Sequence, residues 1–250
     1  MSLSRPEHGQ QSHRVRLEWG RPGAELLAAD CAAVIVIDVL SFSTTVDIAV
    51  SRGAAVLPQV WGDRAAAARE AVARGALPAG PRSGAGPSLR PSSLLGLAAG
   101  TRLALPSPNG ATLCASAADT DTMVFTGCLR NASAVAAAAL RAGGPIGLVP
   151  AGEHWPDGSM RVAVEDVIGA GAIAAPHPPA APSAQAELAV AQFNAARERG
   201  LAAVLAAVGS GQELIADGYG QDVQLAAAHD VSQHAPRLRD GLLLALDRAP

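Results

Sequence analysis

Short apolar runs and polar turns follow one another along this chain. Ala33–Asp38 (AVIVID) is a β-branched run ending on a carboxylate, the pattern of a strand buried on both faces of a parallel sheet. A helix is expected over Thr44–Ser51, with Ser43 or Thr44 as N-cap and Gly53 after its end. Ala54–Leu57 reads as a second strand closed by Pro58, and Asp63–Ala73 as an Ala-rich helix capped by Asp63. Further strands are expected at Thr101–Leu105, Thr122–Thr126 and Pro145–Val149, and helices at Ala111–Ala118, Asn131–Arg141 and Val162–Ala174. Arg74–Pro91, dense in Gly, Pro and Ser, reads as a long loop of the kind that often carries function, and Ala151–Ser159 as a polar loop. The alternation predicts an α/β fold, a mainly parallel or mixed sheet with helices on both faces. Pro176–Ser183 is too proline-rich for regular structure. Beyond it Ala184–Arg197, Leu201–Val208, Gln212–Ala216 and Gln221–Ala228 all read as helical. The expected organisation is an α/β region over residues 1–175 that carries the site, followed over 176–250 by a helical C-terminal layer or subdomain, or else one continuous domain.

Composition narrows the function classes. The chain has 19 basic and 22 acidic residues, a formal charge of −3, which gives no electrostatic reason to bind nucleic acid or an anionic membrane. It contains no lysine, so every basic side chain is an arginine. Alanine fills 56 of the 250 positions and aromatics only 3%, so helices must pack closely. Apolar runs break well short of the ~18 residues a spanning helix needs, and the polar N-terminus does not read as a secretory signal. Cys31, Cys114 and Cys128 lie far apart and form no CxxC pair, which points to reduced thiols in a cytoplasm. The Ala-rich last third offers an apolar face either to a second copy, making a homo-oligomer, or to its own sheet.

In open α/β sheets ligands bind beyond the carboxyl ends of the strands, so the residues after each strand are the site candidates. These segments run from Asp38 to Thr45, from Ser107 to Thr112, from Gly127 to Ser133, and from Gly152 to Asp157. They are rich in hydroxyls and amides, and three lead into helix starts, whose free N–H groups suit an anion such as phosphate. Asp38, Glu153, Glu165 and Asp166 are carboxylates of the kind that hold Mg2+ through oxygen. Each residue also has a plainer reading: Asp38, Asn131 and Ser133 as helix caps, Asn109-Gly110 as a turn, Glu165 and Asp166 as first-turn charges, Cys128 as a small buried hydrophobe.

Familiar catalytic signatures are missing. Without lysine there is no Walker A motif, and no GxGxxG or G-x-S-x-G appears. The positions six after the cysteines are Ile37, Thr120 and Ala134, not arginine, so a cysteine-phosphatase loop is absent. His154 is the one histidine in a candidate loop. His8, His13, His177, His229 and His234 are expected in solvent, so a histidine-built metal centre is not expected.

The order of these segments resembles the 2-phosphosulfolactate phosphatase family. The matching blocks are Val36-Ile37-Asp38-Val39-Leu40 with Ser43-Thr44-Thr45, Pro108-Asn109-Gly110-Ala111-Thr112, and Gly127-Cys128-Leu129-Arg130-Asn131-Ala132-Ser133-Ala134-Val135. Ala151-Gly152-Glu153, Val164-Glu165-Asp166 with Gly169-Ala170-Gly171, and Gly220-Gln221-Asp222-Val223 complete them. The resemblance implies an α/β, Mg2+-dependent phosphatase that acts on the phosphate monoester of a small sulfonated hydroxy acid, as in coenzyme M synthesis. It makes Asp38, Glu153, Glu165 and Asp166 metal-ligand or acid–base candidates, with Cys128 kept beside the catalytic acids. Ser43, Thr44, Thr45, Asn109, Gly110, Thr112, Asn131 and Ser133 become substrate or phosphate contacts. Asp222 matches without a derived role.

The sequence departs from that family where it usually reads D-V-F/L-R-A-S/T-T-T: Ser41 and Phe42 stand at the Arg and Ala positions. An arginine forks onto an anion through paired N–H bonds, which serine cannot do. Arg82, Arg90 or Arg130 would have to substitute, and Arg90 is the residue taken as the replacement. Three functions follow: the family's Mg2+-dependent phosphatase, a Mg2+-dependent phosphoesterase for a different small acid, and an anion-binding module of the same fold that does not turn over.

Overall fold

The computed structural model describes residues 6–118, 120–176 and 182–245. Strand β1 (Val15–Leu17) leads into helix α1 (Gly20–Ala28), then β2 (Ala33–Ile37), α2 (Phe42–Ser51), β3 (Ala55–Val60), α3 (Arg64–Ala73) and the short β4 (Leu77–Pro78). Next come β5 (Arg102–Ser107), α4 (Gly110–Ala118), β6 (Met123–Gly127), α5 (Ala132–Leu140), β7 (Ile146–Pro150), the two-residue strands β8 (Glu153–His154) and β9 (Met160–Arg161), and α6 (Val164–Ala174). The chain ends with α7 (Ala184–Arg199), α8 (Leu201–Ala207), α9 (Gly209–Ala216), α10 (Gly220–Ala227), β10 (Pro236–Arg239) and β11 (Leu242–Ala245).

Nine strands form one mixed sheet in the order β1-β7-β2-β6-β10-β11-β3-β5-β4. It consists of two parallel blocks, β1-β7-β2-β6 and β3-β5-β4. The antiparallel hairpin β10–β11 is inserted between them. Strand β2 is buried at every position, as its β-branched run demands. Ile35 and Ile37 pack into one core with residues of α5, α6 and α7, while Val34 and Val36 face another built with α1, α2 and α4. Helices therefore cover both faces.

The scarcity of rings is met by glycine and alanine contacts. A Cβ on Gly171 would lie 2.0 Å from the carbonyl oxygen of Ala189, so α6 and α7 approach at a distance only glycine allows. That accounts for the Gly169-Ala170-Gly171 block.

The helical reading of the last third holds from α7 to α10 and stops there. Residues 236–245, absorbed into it by their leucine run, form the hairpin instead. Asp240 and Gly241 turn it, both at positive φ (51° and 76°), the primed two-residue geometry that suits Asp-Gly. Strand β1 and helix α1 were not anticipated, because three strand residues and a Gly-Arg-Pro-Gly start carry little periodic signal. The proline-rich stretch, His177 included, lies at 177–181 outside the described residues. No helix among the described residues is long and apolar enough to cross a membrane.

Candidate active site

Asp38 follows the last residue of β2, and its backbone is fixed by the start of α2. Its N–H donates to Ser43 Oγ (3.0 Å), its carbonyl accepts from Ser43 N (2.8 Å), and Ser43 Oγ donates to Val36 O (3.2 Å). Thr44 Oγ1 donates to Val39 O (2.7 Å), and Thr45 Oγ1 to Ser41 O (2.8 Å) and Leu89 O (3.2 Å). These hydroxyls hold the β2–α2 turn together, and none of the three residues lines the cavity beside it.

The Asp38 carboxylate accepts two backbone N–H bonds. Oδ1 takes one from Phe42 (3.1 Å) and Oδ2 one from Gly110 (3.0 Å). The second bond joins the start of α4 to the end of β2, although β6, β10, β11 and β3 stand between β2 and β5. It requires glycine: a Cβ at position 110 would lie 2.3 Å from Phe42 Cδ1 and 2.9 Å from Asp38 Oδ2.

Asp38 opens onto a cavity of about 330 Å3, with Ser41, Arg82, Ser107, Asn109 and Glu153 among its walls and Leu40, Trp61, Leu89 and several prolines completing them. Asn109 Nδ2 donates to Glu153 Oε2 (3.0 Å), and Asn109 Oδ1 lies 3.1 Å from His154 Nδ1. Behind this wall, Asp166 in the first turn of α6 accepts from Val39 N (2.7 Å) and Gly152 N (2.9 Å). It thereby ties the chain after β2 to the chain after β7. Glu165, also buried, lies close enough to raise the proton affinity of Asp38, Glu153 and Asp166.

Burial dominates the electrostatics. It pushes Asp38 up from the usual carboxylate range against the pull of the Phe42 and Gly110 N–H groups and of Arg82. Asp166 is raised further, by burial and then by the charges of Asp38 and Glu165. Glu153 is raised to about 7 by burial and the Asp38 charge, opposed by the Asn109 hydrogen bond and Arg161.

Among the described residues no three His, Cys, Asp or Glu side chains converge as a ready-made metal cage. Mg2+ asks for less: one or two carboxylates, with water and phosphoryl oxygens completing the shell. Asp38 and Glu153, both on the cavity wall, are a hard oxygen pair of that kind. They repel each other unless a cation lies near them.

The structure brings Asp38, Asn109 and Glu153 to the cavity, with the Gly110 N–H one step behind. The other expected contacts lie elsewhere. Thr112 Oγ1 bonds back to Ser107 O (3.4 Å). Asn131 accepts from Cys128 N (2.9 Å) and donates to His234 O (3.2 Å), and Ser133 binds Asp230 (2.6 Å). Cys128 is fully buried, its thiol pushed up to about 12 by burial and the Asp47 charge, so it is no thiolate nucleophile at neutral pH. Arg130 pairs with buried Asp47 (2.9 Å). Arg90, taken as the replacement arginine, donates to Gly84 O (2.9 Å) and stacks 5.4 Å from the Tyr219 ring centre, off the cavity. The guanidinium on the wall is that of Arg82, Nη2 3.4 Å from Ser41 Oγ. Its loop position gave no periodic signal. Asp222 accepts from Ser92 N (2.7 Å) and so anchors the end of that loop.

No curated protein matches this chain. The family model of 2-phosphosulpholactate phosphatase matches residues 24–241 of the 250, a span that takes in Asp38, Arg82, Asn109, Glu153 and the carboxylates behind them. With the fold, the order of its blocks and this match in agreement, the chain belongs to the 2-phosphosulpholactate phosphatase family and is a phosphatase.

Proposed function

We propose that the cavity hydrolyses, with Mg2+, the phosphate monoester of a small anionic hydroxy acid, and that 2-phosphosulfolactate is its reference substrate, giving sulfolactate and phosphate as in coenzyme M formation. The observation that carries this reading is the junction of three strand ends: Asp38 locked by two backbone N–H groups and facing the same cavity as Asn109 and Glu153. Asp38 and Glu153 would hold Mg2+, which when bound neutralises phosphoryl oxygens and acidifies water.

The chain's own residues set the geometry. Phe42 N and Gly110 N fix the Asp38 carboxylate plane. Asn109 orients Glu153 and links it to His154. Asp166 keeps the two loops in register from behind, and Glu165 adds the charge that makes the pocket favour a cation. The apolar walls limit access of bulk water, which strengthens these interactions. In the reaction water adds to phosphorus, the bond to the alcohol oxygen breaks, and the hydroxy acid leaves carrying the proton that water gave up.

The test is phosphate release by purified protein from racemic 2-phosphosulfolactate, 2-phospholactate, phosphoglycolate and p-nitrophenyl phosphate, with Mg2+ and with EDTA. Release that needs Mg2+ and favours the hydroxy-acid esters is expected. Equal release in EDTA, or no release from any ester by folded protein, contradicts the reading.

A further inference from the structure

Arg82 is the one cationic side chain among the cavity's lining residues. It stands on the 79–91 segment, which is held rather than loose. Gly80 N donates to Pro87 O (2.8 Å), Arg90 Nη2 to Gly84 O (2.9 Å), Thr45 Oγ1 to Leu89 O (3.2 Å), and Asp222 anchors Ser92 N just beyond (2.7 Å). Of its donors, Nη2 reaches Ser41 Oγ at 3.4 Å, while Nη1 is buried with no hydrogen-bond partner. The charges of Asp38, Asp222 and Glu153 act on Arg82, yet none forms an ion pair with it among the described residues. A buried guanidinium N–H without an acceptor is a costly arrangement, and its planar fork matches a carboxylate or sulfonate. The gap between it and the two wall carboxylates leaves room for a substrate that touches both.

We propose that Arg82 binds the acid group on the alcohol part of the substrate, not the reacting phosphate, and so selects esters of hydroxy acids over esters of neutral alcohols. This rests on the phosphatase reading above, in which the phosphate lies at Asp38 and Glu153. The guanidinium is thus a specificity-determining group placed one molecule's length from the chemistry.

The experiment compares 2-phospholactate with isopropyl phosphate, which has a methyl group in place of the carboxylate, on wild type, Arg82→Ala and Arg82→Gln. The readout is the ratio of kcat/KM for the two esters. It should favour 2-phospholactate in wild type and fall about 100-fold in both variants, the range expected when one partner of a desolvated charge pair is removed. A ratio left unchanged, with both esters losing equally or neither losing, overturns the assignment. If wild type hydrolyses neither ester, the phosphatase reading fails on its own. The same pair is then titrated calorimetrically as intact ligands, and the ratio of Kd values decides the role of Arg82 by the same criterion.

Discussion

Strands β2 and β6 are parallel neighbours, with Ile35 opposite Phe125, and each runs into a polar turn and a helix. The turn after β2 opens on the cavity. The turn after β6 is roofed by the chain that leads to the C-terminal hairpin: Asp230 N donates to Leu129 O (3.1 Å), Ser232 N to Arg130 O (2.9 Å) and Asn131 Nδ2 to His234 O (3.2 Å). Both turns satisfy their helix starts with side chains, yet one leaves a carboxylate facing free space and the other a thiol sealed in the core. A polar loop at the carboxyl end of a strand is therefore a necessary feature of such a site and not a sufficient one. What passes over it decides.

The largest effect that would break this contrast belongs to Asp38. Asp38→Asn should lower kcat/KM by more than about 1000-fold, since a single carboxylate at the reacting centre carries that much stabilisation. It should also lower stability by about 1–3 kcal/mol, because the amide NH2 would face a backbone N–H of Phe42 or Gly110. A variant that turns over normally removes Asp38 from the chemistry. Gly110→Ala comes next. Its methyl meets Phe42 and Asp38 Oδ2, so overpacking of about 1–3 kcal/mol is expected, with kcat falling before KM. Unchanged thermal melting and kinetics would show that the α4 start is not fixed against Asp38.

Proton linkage gives a smaller effect with a definite sign. Burial raises Asp38, Glu153 and Asp166 above their ordinary values, so the folded chain holds more protons than the unfolded one between the ordinary carboxylate range and about 7 for Glu153. The stability this contributes is present at low pH and is lost as pH rises through that value. In EDTA, Tm should decline from pH 5 to pH 8. Added Mg2+, which competes with the Glu153 proton, should raise Tm more at pH 8 than at pH 5.5. A Mg2+ effect that is larger at pH 5.5 contradicts the pairing of Asp38 with Glu153. The smallest effect belongs to the roofed turn: Ser133→Ala should cost under about 1 kcal/mol of stability and leave kcat/KM alone, and a loss of activity without a loss of stability would reopen that turn as a site.

Much of this was legible in the sequence because the relevant signals are local. The buried run before Asp38, the Asn109-Gly110 turn and Glu153 after the Pro145–Val149 strand each announce a strand end. Topology then places those ends together. What stayed hidden depends on distant pairing. Nothing around Asn131 or Ser133 indicates that residues 230–234 will cover them, and the hydroxyls of Ser43, Thr44 and Thr45 look alike whether they face a ligand or their own backbone. Arg82 sits in a loop without periodicity, so its arrival beside Ser41 follows only from how that loop is tied down. The hairpin did carry a local signal, Asp240-Gly241, which the leucine run after it masks.

The most direct measurement compares Asp38→Asn with Cys128→Ser, each from one of the two neighbouring turns, for Mg2+-dependent phosphate release from 2-phosphosulfolactate, with folding checked by thermal melting. Loss of turnover at position 38 together with retained turnover at position 128 is the result expected from a site that opens on the β2 side. Retained turnover at 38 with loss at 128 in a folded protein would contradict it and move the chemistry to the thiol.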